Sequence, residues 1–149
     1  MTQETPPNFA EAVYASLTDT SNWQAYAEVE DLLAQLKEYN IKIIIVSNIG
    51  WDIRPSFKRE RIFKYVDQFI LSCEEGVIKP QAEIFETACE DLKCDKAEIL
   101  MVGDNPEADG GASEVGIATY ILPQLTEETK TIGLKNILNL IGACETDKV

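Results

Sequence analysis

A chain of 149 residues, 45% of them hydrophobic, is long enough to bury one full core and fits a single domain. Its formal net charge of −13 is spread along the chain, which argues against a basic face for nucleic acid or anionic membrane and suits acceptance of a divalent cation. Histidine is absent and the four cysteines form no Cys-x-x-Cys pair, so Ser-His and Cys-His nucleophile pairs are excluded and zinc is disfavoured.

Residues 1–7, polar and carrying two prolines, read as a disordered lead-in without the basic and apolar regions of a secretion signal. No apolar run approaches the length of a membrane span, and the cytoplasm is the expected compartment. Phe9, Val13 and Leu17 recur at four-residue spacing and predict a short amphipathic helix over 8–17, broken by 18–23. A second helix over 25–39 places Val29, Leu32, Leu33 and Leu36 on one face and Glu28, Asp31, Gln35 and Glu38 on the other, with Trp23 and Tyr26 as packing anchors.

Residues 41–46, dominated by β-branched side chains, give the strongest strand signal. The strand exits through Ser47-Asn48-Ile49-Gly50, where hydroxyl and backbone N–H groups suit an oxyanion; an ordinary Ser/Asn turn is the simpler reading of these four residues alone. A helix over 51–61 tolerates Pro55 in its first turn and gathers Arg54, Lys58, Arg59 and Arg61, read as a solvated face. Residues 63–69 continue as helix or turn, 69–72 form a short strand, and Glu74-Glu75-Gly76 turns the chain. Lys79 precedes Pro80, which restrains it to an extended conformation and presents it stiffly. The helix over 81–92 turns Ile84, Phe85, Ala88 and Leu92 inward.

The apolar run 99–102 predicts a strand buried on both faces that ends at Gly103-Asp104, delivering a carboxylate to its C-terminal edge. Asn105 is then the N-cap and Pro106 the first residue of a helix that Gly116 closes. Asp104 and Asp109, five positions apart across this turn, can face one hard cation; alternatively Asp104 only makes the turn and Asp109 only complements the helix dipole. A strand over 117–122, a helix over 134–141 and a fraying tail over 145–149 complete the reading. Alternating strands and helices with short connections predict an α/β domain, a parallel sheet covered on both faces by helices.

Three polar stations thus sit at or near successive strand ends: Ser47-Asn48, Lys79-Pro80, and Asp104 with Asp109. In this order and context they resemble the haloacid dehalogenase-like hydrolases, more closely the subfamily with a helical cap inserted early in the chain. Residues 43–48 look like that family's second motif, Ile78-Lys79-Pro80 its third, and Gly103-Asp104 through Asp109 its fourth, in the form Gly-Asp-x-x-x-x-Asp. The likeness spans about residues 40–122. It implies a three-layer Rossmann-like fold and a Mg²⁺-dependent phosphatase of a small phosphorylated metabolite, with dehalogenase and phosphomutase chemistries open. By resemblance, Ser47 and the Asn48 backbone hold the phosphoryl group and Lys79 neutralises it. Asp104 ligates the metal, which Asp109 orients. Residues 1–24 then read as a lead-in and the remnant of a helical cap, 25–144 as the core domain, and 145–149 as tail.

The family's first motif, a strand carrying Asp-x-Asp with the attacking carboxylate, has no counterpart before Asn40; Asp19 follows no apolar strand and has no partner two residues on. The expectation is a sheet lacking its first central strand, either a four-stranded parallel sheet or one completed by self-association or a second chain. By itself the chain is then expected to be almost inactive. The alternative function is a non-catalytic module that binds phosphate and Mg²⁺.

Overall fold

The computed structural model describes residues 8–123 and 133–145. In chain order the elements are α1 (Phe9–Thr18), α2 (Val29–Glu38), β1 (Ile44–Ser47), α3 (Arg54–Arg59), β2 (Gln68–Leu71), α4 (Ser72–Glu75), α5 (Ala82–Leu92), β3 (Leu100–Gly103), α6 (Gly111–Glu114), β4 (Ala118–Ile121) and α7 (Asn136–Glu145). The architecture is α/β and Rossmann-like, with parallel strands between helical layers. Residues 1–7, the segment 124–132 and the end of the expected tail lie outside the described residues.

The strands do not form one four-stranded sheet. β1 pairs with β2, β3 pairs with β4, and among the described residues no ladder joins β1 to β3. Both pairs nevertheless share a layer. Alternate residues Ile44 and Val46 of β1 and Met101 of β3 pack, with Ile99 just before β3, on the cluster built from Ile70, Ile84, Phe85, Ala88, Cys89, Ala112 and Ile117. Ile43, Leu100, Val102 and Tyr120 face the other way, onto Leu32, Leu36, Leu122, Leu134 and Ile137 beneath α2 and α7. A third cluster, around Ile49, Ile53, Phe69 and Leu71, seats α3 on the β1–β2 pair. Ile70, Leu71, Ile84 and Phe85 are fully buried, each worth about 1.5–3 kcal/mol of transfer free energy.

Burial follows from this split. β1 is the more strongly β-branched strand, yet all four of its residues are only half-buried, as are those of β3, whereas Phe69, Ile70 and Leu71 of β2 are buried. The edges of β1 and β3 that bear no ladder account for the difference.

Helix ends deliver the chain to the strands. Asn40 adopts a left-handed φ of 59° and closes α2, with Ile41 N–H donating to Leu36 C=O at 3.0 Å; Arg61, φ 63°, ends α3 in the same way through Ile62 and Phe57. The expected helix from Pro106 to Gly116 is shorter, because only Gly111–Glu114 is helical and residues 106–110 make turns. Asn105 still caps that turn, its Oδ1 accepting the N–H groups of Glu107 and Ala108 at 3.0 and 2.9 Å. Helix α1 forms where its spacing predicts, but Phe9, Val13, Tyr14 and Leu17 are exposed. None of the described helices is long and apolar enough to cross a membrane.

The carbonyl of Gly103 accepts the Leu122 N–H at 2.7 Å, so strand alternation turns the peptide groups of Leu100 and Val102 away from β4. In the isolated chain the amides of Leu100 and Val102 are expected to exchange hydrogen about a hundredfold faster than those of Met101 and Gly103. Equal protection at all four positions, measured by NMR, would show that this edge is covered.

Candidate functional site

Asp109 is the pivot of the site. It is only 2% exposed, and both of its oxygens are engaged: Oδ1 accepts from the Lys79 ammonium at 2.6 Å and Oδ2 from the Asn105 N–H at 2.9 Å. Each carboxylate oxygen retains a second lone pair. The carboxylate can lie this deep because Gly103 has no side chain; a Cβ there would fall 2.1 Å from Asp109 Oδ2. Gly111 serves the neighbouring approach, since its Cβ would meet Pro80 Cβ at 2.6 Å. The loop of Lys79 is thereby seated directly on the turn that follows β3.

Lys79, joined to Pro80 by a cis peptide bond, is also held from β1. Asn48 Nδ2 donates to Lys79 C=O at 2.8 Å, and Lys79 N–H donates to Asn48 Oδ1 at 2.7 Å. Within the loop, Ile78 N–H donates to Gln81 Oε1 at 2.9 Å and Gln81 N–H to Ile78 C=O at 2.8 Å. Nearby, the Ser72 hydroxyl both accepts from Ile49 N–H at 2.8 Å and donates to Ile49 C=O at 3.0 Å, tying the exit of β1 to the start of α4.

Three of the five residues singled out by the sequence, Asn48, Lys79 and Asp109, are therefore in direct contact. The other two adjoin them along the chain. Ser47 is the half-buried last residue of β1, immediately before Asn48, and Asp104 is exposed between Gly103 and Asn105, the two residues against which Asp109 rests. Gly103, Gly111, Ser72 and Gln81 carry the geometry without having been marked as functional. For the glycines a signal was present in Gly103 at the strand exit and in the Gly110-Gly111 pair; Ser72 and Gln81 had none.

Three of the basic residues after Trp51 are committed to contacts of their own. Arg54 forms a two-point pair with Glu74, at 2.6 and 2.8 Å, and its guanidinium holds the Glu74 carboxyl below the usual carboxylate range. Arg59 bonds Glu60 and the carbonyl of Trp23, while the Lys58 ammonium lies 4.9 Å from the centre of the Phe63 ring.

Chemically, the arrangement offers a hydroxyl, a stiffly held ammonium and an exposed carboxylate at the C-terminal ends of two parallel strands, where α/β sheets bind ligands. Among the described residues no three Asp, Glu, His or Cys side chains converge into a ready-made cage.

Residues 2–115 match the family of haloacid dehalogenase-like hydrolases. A ribulose-1,5-bisphosphate 5-phosphatase of Halopiger xanaduensis is 31% identical over 118 residues, 73% of this chain and 49% of the relative. Among solved structures, a phosphatase of this class from Thermococcus onnurineus superposes with a TM-score of 0.74 at 24% identity, covering 87% of this chain and 64% of that one. L-2-haloacid dehalogenase of Xanthobacter autotrophicus superposes at 0.69 with 21% identity over 93% of this chain and 58% of its own, a likeness of fold. The chain spans about half the length of the curated relatives it matches.

Replacing Gly103 by Ala is expected to drive the Asp109 carboxylate out of its seat and destabilise the chain by about 1–3 kcal/mol. Urea denaturation monitored by circular dichroism checks this, and an unchanged midpoint would refute the close approach.

Proposed function

Because the chain belongs to the haloacid dehalogenase-like hydrolases, we propose that the loops after β1 and β3 bind the phosphoryl group of a small phosphorylated metabolite together with Mg²⁺. One observation carries the reading. The contacts from Asn48 through Lys79 to Asp109 bring an amide, an ammonium and a carboxylate from three separate stretches of the chain together, with Ser47 and Asp104 on the adjoining backbone. In phosphoryl transfer the protein contributes mainly positioning and charge neutralisation, which these groups suit. The Ser47 hydroxyl would donate to a phosphoryl oxygen and the Lys79 ammonium would offset its negative charge. Asp104 would hold the ion, with Asp109 orienting it or its waters. The hard oxygen donors of Asp104 and Asp109 suit Mg²⁺. Bound there, the ion would neutralise phosphoryl charge. The sugar-bisphosphate phosphatase among the relatives supports a phosphate monoester as the substrate class.

The open edges of β1 and β3 support a second element of the proposal: a further strand, from a second copy or another chain, completes the sheet between them. No Asp-x-Asp sequence occurs before Asn40, so the 149-residue chain alone is expected to bind phosphate without appreciable turnover.

Saturating inorganic phosphate with Mg²⁺ is expected to stabilise the chain by about 2.7 kcal/mol at a hundredfold excess over Kd, read as a rise in Tm. Lys79→Ala and Asp104→Asn should each remove most of that rise. Absence of any rise in the wild-type chain would overturn the phosphate reading. Turnover of p-nitrophenyl phosphate by the chain alone would instead overturn the expectation of binding without chemistry.

A further inference from the structure

The Asn48 side chain grips the main chain of Lys79 from both sides, donating to its carbonyl and accepting from its N–H at 2.8 and 2.7 Å. A primary amide carries donor and acceptor in one plane, so it copies a rung of β-pairing where the loop has no strand beside it. Among the described residues no other side chain bonds the Lys79 backbone. The remainder of the loop is fastened elsewhere: Ile78 to Gln81, and Pro80 against Gly111. Lys79 is thus held at its root by the residue following β1 and at its tip by Asp109 after β3.

We propose that Asn48 is a positioning residue that sets where the Lys79 ammonium stands relative to Ser47. This deepens the reading given above and rests on it for its functional meaning. A lysine side chain is flexible, and a group displaced by about 1 Å loses most of its value to a bound reacting group, so fixing the root matters as much as supplying the charge. Ser47 and Asn48 are consecutive; one stretch of backbone therefore presents the hydroxyl and sets the base of the ammonium. The Asn48 amide, which resemblance leaves idle beside its own backbone N–H, has its work in this grip.

The test compares Asn48→Ala with Ser72→Ala. Ser72 brackets Ile49 by a similar pair of hydrogen bonds but makes none to Lys79, so its loss controls for general loosening of the β1 exit. The first readout is the ¹⁵N signal of the Lys79 ammonium in the ligand-free protein, slowed in exchange by Asp109 in the wild-type chain. It should broaden or vanish in Asn48→Ala and persist in Ser72→Ala. Asn48→Asp keeps the acceptor and lacks the donor, giving an intermediate loss and a second route if the alanine variant does not fold.

The second readout is titration with inorganic phosphate in the presence of Mg²⁺. Asn48→Ala should bind about tenfold more weakly, and the double variant with Lys79→Ala no more weakly than Lys79→Ala alone, because both changes remove one interaction. An ammonium signal unchanged in Asn48→Ala and Asn48→Asp, or losses that add in full, would overturn the proposal. If the wild-type chain binds no phosphate, the functional reading fails, while the ammonium signal still decides the role of Asn48.

Discussion

The buried pair between Lys79 and Asp109 is the contact on which the arrangement of this molecule turns. It bridges a loop that leaves the β1–β2 half and a turn that leaves β3, two strand pairs that share no backbone ladder among the described residues. Removing two charges from water cancels much of what their attraction returns, so such a pair adds little net stability over an apolar equivalent. Removing Lys79 is another matter, since Asp109 would be left charged with its side chain only 4% open to solvent. The pair's contribution is to fix one arrangement of the two halves.

Around that pair the polar groups are satisfied in both directions. Asp109 takes one bond from the loop and one from its own turn, Asn48 spends donor and acceptor on a single residue, and Ser72 does the same for Ile49. Among the described residues no buried side-chain nitrogen or oxygen lacks a partner. Asp104 is a carboxylate at the strand ends that remains exposed to solvent. The site therefore combines a hydrogen-bonded interior with one accessible acidic group.

Much of this was legible from residue order. The strand signals at 41–46, 99–102 and 117–122 and the helices at 8–17 and 81–92 formed with shifts of one to three residues, because local periodicity and β-branching decide them. Asn48, Lys79 and Asp109 were picked out by strand-end position and family likeness, and they meet. What was not legible depends on distant packing. The helix after Asn105 contracts to four residues, since the chain must first bring Asp109 under Gly103 before it can coil. The sheet lacking a central strand was expected from the sequence; which of the two alternatives holds was not, since β propensity does not specify a strand's neighbour, and the described strands form two pairs. The lower burial of β1 follows from its open edge. The grip of Asn48 on Lys79 joins residues 31 positions apart and leaves no periodic trace.

The pairing of near neighbours in sequence has a kinetic side. Partners in β1 and β2 lie about two dozen residues apart, and those in β3 and β4 fewer than twenty, so each ladder closes a short loop. Low contact order of this kind favours rapid folding. The two ladders nevertheless share the cluster of Ile70, Ile84, Phe85 and Ala112, so neither half completes its core before the other is in place, with an ammonium and a carboxylate from opposite halves losing water as they meet.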